Sequence, residues 1–510
     1  MSNTQSRILF ELRRLKGFLG LFVRNRRGIL GVGIIVLFLF VSLGASLLTP
    51  YDPMAIVAFP RKGYLYAKPT WYSYLFPNEN VSSNIDVISD PDFKTAESVR
   101  ELEFSSTPGT QDYVRADFAP DKGYEGLGSA AIKFERAAST NPYGLIEASL
   151  TKSFTYTYSF PPKEFQGYVA LTVDNPQNVS METRLILERV GGSQIVWSDK
   201  DFEEVEGGWV IPDPRMDSDS STTGKFLGDM LGPEWTQNPV KMMFPQSGEY
   251  RFGIEVVLND TNAGQDTHAA VYIDSLWLKV LGNSFGLLGT DQYGRDILTQ
   301  LLYGTRISLF IGLVTALLTT ALGLLVGITA GYVGGYVDQF LMRFTDMLLV
   351  IPEVPLFIVL VAVLSPGLWN LILVMTILGW TGFARISRSQ TLSLKERPFV
   401  EAARAVGGGR FHIILRHIVP NVMSLVYVSL ATAVPAAIIN EAWLSFLGLY
   451  DPNIMTWGRM LHDVESIGEG IFMWWWVIPP GICIAAISLS FILIGYALDD
   501  ILNPKLRERR

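Results

Sequence analysis

The chain has 510 residues, 49% of them hydrophobic and 18% charged, with a formal net charge of −8 and a single cysteine. Length alone suggests three or four soluble domains, but the apolar residues are gathered into stretches of about 20 around one long polar block. A helix of that length crosses the ~30 Å hydrocarbon core of a bilayer, so a soluble enzyme, a disordered chain and a collagen-like fibre are excluded.

Charge divides along the same line. Residues 51–284 carry 19 Lys+Arg against 33 Asp+Glu, a net of −14, and the remainder carries 22 against 16, a net of +6. The acidic block and the basic remainder are therefore separate domains. Clustered basic residues on a folded face, the footprint of nucleic-acid binding, are not evident. Cys483 lies in an apolar stretch and has no second cysteine to pair with, so the polar block must be held by its own core.

The N-terminal arm carries Arg7, Arg13, Arg14, Lys16, Arg24, Arg26 and Arg27 against Glu11, and leads into a first span over 28–49. Its apolar run exceeds a usual signal-peptide core; a cleavable signal is the alternative. Residues 51–284 read as mostly β. Tyr250, Phe252, Ile254, Val256 and Leu258 alternate with polar residues or glycine, the period of a half-buried strand. A polar turn joins them to AVYIDSLWLKVLG, giving a hairpin or a connection between sheets. Earlier strand candidates are AAIKFER, LIEASLTKSFTYTY, GYVALTVDN, RLILERV and SQIVWS, and short strands at such spacing suggest a two-sheet sandwich. The last pair resembles the closing strands of carbohydrate-binding jelly rolls. Trp197, Trp209, Trp235 and Trp277 are either sandwich core or a sugar-stacking platform. The acidic run from Asp199 to Glu206 is a solvated loop or a set of hard oxygen ligands for calcium. The stretch 210–248, rich in Pro, Ser, Asp and Gly, reads as a long loop.

Asp291 and Arg295, spaced i,i+4, can pair on a helix entering the second span. Further spans fall at 307–330, 345–365, 368–384, 421–442 and 474–498, six in all. Glu353, between Pro352 and Pro355, is costly in lipid and should face protein or a cavity. Asn440 and Glu441 lie at the outer end of the fifth span, where a gate could sit. Basic residues set the orientation. Seven lie between spans four and five (Arg385, Arg388, Lys395, Arg397, Arg404, Arg410, Arg416), and the tail ends in Lys505, Arg507, Arg509 and Arg510. The loop between spans five and six carries Asp451, Asp463, Glu465 and Glu469 against Arg459. Both termini and the 385–420 loop are expected in the cytoplasm, and 51–284 outside.

The loop RPFVEAARAVGGGRFHIILRHIVPN predicts a short helix, a glycine break and a second amphipathic helix ended by Pro420. Glu401 suits the positive end of the first helix, and Ala402 and Ala403 let another surface approach. Gly407, Gly408 and Gly409 permit a sharp turn, and Phe411, Ile414 and Leu415 supply an apolar face. His412 and His417 have no third ligand at metal-binding spacing. No GxxxxGK[ST] phosphate loop occurs, since Gly224-Lys225 lacks its flanking residues.

These residues resemble the EAA loop of bacterial ABC-importer permeases: Glu401-Ala402-Ala403, three residues, then Gly407. The ending His417-Ile418-Val419-Pro420 departs from the general pattern toward the dipeptide/oligopeptide/nickel class. That class is also similar in GLLGTDQYGRDILTQLLYGTRISL (286–309), in GYVGGYVDQFLMRFTDMLL and in NEAWLSFLGL (440–449). The resemblance covers about 1–50 and 285–510; a permease of this class has only a short connection where 51–284 stands. It implies a polytopic α-helical membrane protein of about six spans with an inserted, jelly-roll-like β domain. The domains are then an arm and first span (1–50), an insert (51–284) and a permease core (285–510) with its coupling loop near 397–420. It implies coupling to ATPases through Glu401, Ala402, Ala403, Arg404, Gly407, Phe411 and Pro420, and a family motif of Gly289, Thr290, Asp291, Gly294, Arg295 and Asp296. The implied partners are a homologous second permease, two cytoplasmic ATPases that bind the ATP and Mg, an extracytoplasmic solute-binding protein and lipid. The chain itself would hold no cofactor and catalyse no reaction, in the cytoplasmic membrane of a bacterium or archaeon, importing peptides or related solutes. The other reading is a membrane-anchored protein whose β domain captures carbohydrate or a surface partner.

Overall fold

The computed structural model describes residues 22, 24–55, 63–124, 126, 128–138, 141–177, 179–219, 238–261, 264–468 and 472–502. The expectations placed on Arg7 to Lys16, Gly224-Lys225, Trp235, Glu469 and the tail from Lys505 lie outside them. The chain divides into two compact units, Val57–Gly294 and Met1–Ile56 with Arg295–Arg510.

The first unit is a sandwich of antiparallel strands. Its described strands are β1 (Ile85–Asp86), β2 (Glu103–Ser106), β3 (Val114–Ala119), β4 (Ser129–Arg136), β5 (Gly144–Tyr156), β6 (Glu164–Asp174), β7 (Ser180–Arg189), β8 (Gln194–Ser198), β9 (Phe202–Val205), β10 (Trp209–Pro212), β11 (Met216–Asp217), β12 (Gly248–Asp260) and β13 (Thr267–Leu281). One sheet runs β3-β4-β13-β6-β10-β9, with β1 beside β13 and β11 beside β6; the other runs β2-β5-β12-β7-β8. Alternation along β12 buries Tyr250, Phe252, Ile254, Val256 and Leu258 against Val271, Ile273, Leu276 and Leu278 of β13 in one core. The two strands lie in different sheets, so the connection predicted as a hairpin or a sheet crossing is the crossing. Trp197 is fully buried in that core; Trp209 is buried outside it, its ring centroid 5.7 Å from that of Tyr124, and Trp277 is half-buried. The stretch 210–248 is not one long loop: its described part contains the end of β10, β11 and a short helix, Pro239–Met243, capped by the Asn238 side chain. Pairing to β6 supplies the backbone partners that a loop would have left to water.

A buried ion pair joins the sheets at one end. The Arg136 Nε at the end of β4 donates to Asp260 Oδ2 at the end of β12 over 2.6 Å, and Nη2 donates to Asp260 Oδ1 and to Thr267 Oγ1. Both side chains are almost completely enclosed. Midway along β13 the register with β6 shifts between Asp274 and Trp277, a bulge in which Ser275 adopts φ +51°.

The second unit is helical: α1 (Arg26–Leu48), α2 (Ile297–Val333), α3 (Gly335–Val350), α4 (Glu353–Leu364), α5 (Leu368–Gly379), α6 (Thr381–Lys395), α7 (Pro398–Ala405), α8 (Val419–Phe446), α9 (Trp457–Ser466) and α10 (Trp474–Leu502). Helices over Arg26–Leu48, Ile297–Val333, Arg410–Phe446 and Trp474–Ile501 are each long and apolar enough to cross a membrane. The pairs α3/α4 and α5/α6 are bent by 92° and 41°, and counting each pair as one span gives six. The stretch 345–365 is thus not a straight span. Pro352 drives Ile351 to extended backbone (φ −74°, ψ 130°) and ends α3 there. Helix α2 starts ten residues before the expected span, at an Asp296 cap whose Oδ2 accepts from Thr299 N at 2.8 Å. Outward residues such as Leu43 and Leu47 on α1 are exposed, as lipid-facing positions require.

Helices α2 and α6 pack backbone to backbone. A Cβ on Gly323 would stand 2.8 Å from the Trp380 carbonyl oxygen, one on Gly331 2.9 Å from that of Arg388, and one on Gly327 would collide with Ser387 Oγ and the Ala384 carbonyl. Small residues every fourth position give one smooth face, the means by which helices associate without a hydrophobic driving force in lipid.

Asp260→Ala leaves a guanidinium enclosed without its carboxylate and should destabilise the β unit by about 3–5 kcal/mol, read as an earlier urea transition in tryptophan fluorescence. Gly327→Leu should lower the thermal midpoint of the detergent-solubilised protein, whereas Gly382→Ala, where a Cβ meets nothing within 4 Å, should leave it unchanged.

Candidate functional site

Residues 397–420 form two helical pieces on an apolar base. Helix α7 opens with Pro398, whose missing N–H is harmless in the first turn. Glu401 stands in that turn and Arg404 in the last, each at the end of the helix dipole that favours its charge. Fully buried Val400 and partly buried Ala403 seat α7 on a cluster of Ile328 and Tyr332 of α2, Phe383 and Leu394 of α6, and Val422 and Val426 of α8.

A Schellman turn closes α7. Gly408 N–H donates to the Ala403 carbonyl and Gly407 N–H to that of Arg404, both at 3.0 Å. The turn requires Gly407 at φ +89°, and a Cβ on Gly408 would stand 2.7 Å from Ala403 O. Gly409, at φ −64°, merely precedes the next helix.

That next helix starts at Arg410 and does not end at Pro420. It widens into a π turn over Ile414–Ile418, in which Val419 N–H bonds Ile414 O, and continues as α8. Proline cannot donate to the residue four back and its ring crowds that carbonyl. The wider turn absorbs both problems and lets the chain run on. Ile413 and Ile418 are buried in the base, and Ile414 partly so, while Phe411 and Leu415 are exposed. The apolar face foreseen for docking is therefore split: Ile414 belongs to the base, Phe411 and Leu415 to the outer surface.

What remains outward is Glu401, Ala402, Arg404, Ala405, Val406 (90% exposed), Gly407 and Phe411 (75%), with Pro420 exposed farther along. An apolar tip flanked by one acid and several bases, on a rigid turn, has the shape of a plug. Val400, Ile413 and Ile418 escaped the sequence reading, although their spacing on either side of the glycines marks one buried face. The base is tied to α3 as well: Arg388 Nη2 donates to Asp338 Oδ2 at 2.6 Å and Arg385 Nε to Asp346 Oδ1 at 3.1 Å.

The other expected residues lie elsewhere. Glu353 opens α4 immediately after the bend and is exposed in this chain, not enclosed, because the bend breaks the span at that point. Glu441 is fully buried in α8, its Oε1 accepting from Ser445 Oγ at 2.7 Å, and Asn440 is half-buried. The start of α9 presses on this stretch, since a Cβ on Gly458 would stand 2.7 Å from the Ala442 Cα. Glu441 therefore sits in a packed junction. His412 and His417 have ring centroids 6.1 Å apart, and no group of three His, Cys, Asp or Glu side chains among the described residues could hold a metal ion.

Residues 289–296 are a buried turn, not the helix expected to carry Asp291 and Arg295; the two left-handed glycines, Gly289 (φ +76°) and Gly294 (φ +74°), prevent it. In the β unit, Thr290 Oγ1 accepts from Ala67 N at 2.8 Å, and the Asp291 carbonyl accepts from Tyr66 N at 3.0 Å. In the helical unit, Arg295 lies 3.6 Å from Asp463, and Asp296 caps α2.

Comparison with known proteins bears on the helical unit. The family model of binding-protein-dependent transport system inner membrane components matches residues 323–508. The dipeptide transport system permease protein of Bacillus subtilis (strain 168) is 39% identical over 221 residues, 43% of this chain and 68% of that protein. The oligopeptide transport system permease protein of the same organism is 38% identical over 222 residues, 43% and 72% of the respective chains. The dipeptide transport system permease protein of Escherichia coli (strain K12) is 42% identical over 228 residues, 44% and 75%. The family match starts at the glycine face of α2 and includes the exposed turn and α10. The chain belongs to the family of binding-protein-dependent transport system inner membrane components.

Proposed function

We propose that this chain is one permease subunit of an ATP-driven importer for peptides or related small solutes, and that the turn around Glu401–Gly407 plugs into a groove on a cytoplasmic ATPase. The observation that carries the reading is the contrast within one loop. Val400, Ile413 and Ile418 are buried in the helical unit, while Val406 and Phe411 project from it. An apolar tip kept in water serves a partner that covers it. Movement of the ATPases during ATP hydrolysis would press on the plug and tilt the helices anchored to it, opening a central path to each side in turn. Glu401 and Arg404 orient the contact, Ala402 allows close approach, Gly407 fixes the turn, and Pro420 sits where the docked segment becomes a span. ATP and Mg belong to the partners.

The relatives named for dipeptides and oligopeptides support a peptide cargo. The remaining partners in this reading are a homologous second permease and an extracytoplasmic solute-binding protein. Buried Glu441 then belongs to the scaffold, and Glu353, exposed at a bend between helices, to the face that meets the second permease. A binding protein merely anchored in the membrane would have no use for the plug. With basic residues at the cytoplasmic face, the β unit stands outside and both termini inside.

Ala402→Trp places a bulky ring where the groove must close. The protein should insert and fold normally yet fail to retain ATPase subunits in a detergent pull-down and lose uptake. Normal uptake by well-expressed Ala402→Trp protein would sink the docking assignment. Orientation is checked in a Cys483→Ser background. An impermeant maleimide on right-side-out vesicles should label Lys94→Cys and spare Arg410→Cys, and the reverse pattern would invert the topology.

A further inference from the structure

The β unit holds a cleft of about 540 Å³ that the permease reading leaves without a role. Its floor is the outer face of β6 and β13. Tyr168 and Trp277 are direct cross-strand partners there, their rings near parallel (21°) with centroids 5.9 Å apart. Asp86 and Lys279, 3.7 Å apart, and the exposed Arg215 line the same cleft.

The bulge sets this face. After Ser275 the alternation restarts, sending Leu276, Leu278 and Val280 into the core and leaving Trp277 and Lys279 on the outer side. Without the extra residue, the tryptophan would point into the sandwich. Ser275 bears the cost: it is a non-glycine residue at φ +51°, and its buried hydroxyl has no hydrogen-bond partner among the described residues. Ser275 also lines the cleft. Strain, a spare buried hydroxyl and a re-aimed tryptophan coincide at one place, which is where a ligand site is expected.

We propose that this cleft binds a neutral saccharide. The chemistry of the lining selects the class. The stacked aromatic pair offers an apolar surface, which suits the C–H face of a pyranose ring. Carboxylate, ammonium and guanidinium groups at the margin offer acceptors and donors for ring hydroxyls. Among the described residues the ionic lining holds two acids, Asp86 and Asp92, against two bases, Arg215 and Lys279, a balanced set that favours a neutral ligand. The volume lies within the range of about 300–1,000 Å³ usual for small-ligand clefts. The ligand is either a free oligosaccharide or a polymer of the cell envelope, and the two sources share this recognition. The proposal does not depend on what the permease transports.

The test uses the full chain in lipid nanodiscs and two kinds of probe. Calorimetry with gluco-, xylo-, manno- and galacto-oligosaccharides of three to six units reads free sugar. Co-sedimentation with insoluble cellulose, xylan and peptidoglycan reads polymer. Saturable binding in either arm is expected, the stronger arm naming the source. Trp277→Ala should weaken it about tenfold or more, and Trp277→Phe should restore most of it. Should Trp277→Ala lower the yield of folded protein, Arg215→Ala, at an exposed side chain, is read in its place and should also weaken binding. No binding in either arm, or binding that both alanine variants leave unchanged, overturns the proposal.

Discussion

The approach of α2 to α6 along Gly323, Gly327 and Gly331 is the constraint on which the helical unit depends. In lipid there is no gain from hiding apolar side chains, so two helices stay together only if their backbones come close enough for dispersion forces to act over a long seam. That seam fixes α6, and α6 in turn positions α7 and α3. Leu394 near its end contributes to the cluster that receives Val400, and Arg385 and Arg388 on its outer side tie α3 to the same column. A small error in the seam would be carried through these contacts to the exposed turn.

The β unit is stabilised on the opposite principle. Large side chains such as Trp197, Phe165, Phe244 and Phe252 fill the space between its sheets. Its one enclosed Arg–Asp pair among the described residues fixes where the ends of β4, β12 and β13 meet, although hydrophobic residues there could have given comparable stability. Such pairs set geometry more than they add stability. The strained bulge at Ser275 is the local exception, where the chain gives up a relaxed backbone to keep Trp277 outside the core.

The sequence made some of this legible and concealed the rest for physical reasons. Period-two alternation in β12 and the charge division between the two units could be read directly, because each follows from burial or solvation of single residues. The Schellman turn was half legible: the glycines announced a turn, but three adjacent glycines do not say which one takes the positive φ. Pro420 misled because a proline ordinarily marks a helix end, and the π turn that accommodates it leaves no sequence signal. Pro352 misled in the other direction, its bend hidden inside a stretch apolar enough to pass for one straight span. The glycines of α2, at every fourth position, were a readable signal for close packing that the hydropathy pattern overshadowed. For Glu441, position along the span could not distinguish an open path from a packed junction.

The π turn has a mechanical consequence. Because the helix widens at Ile414–Ile418 instead of stopping, residues Arg410–Phe446 form one 37-residue rod. At 1.5 Å per residue it is about 55 Å long. One end lies beside the exposed turn and the other beside buried Glu441 and the start of α9. Such a rod is a lever: a tilt of about 10° around one end carries the other through about 10 Å, on the 1.5 Å rise. A chain break at Pro420 would have put a hinge at the fulcrum and lost the leverage.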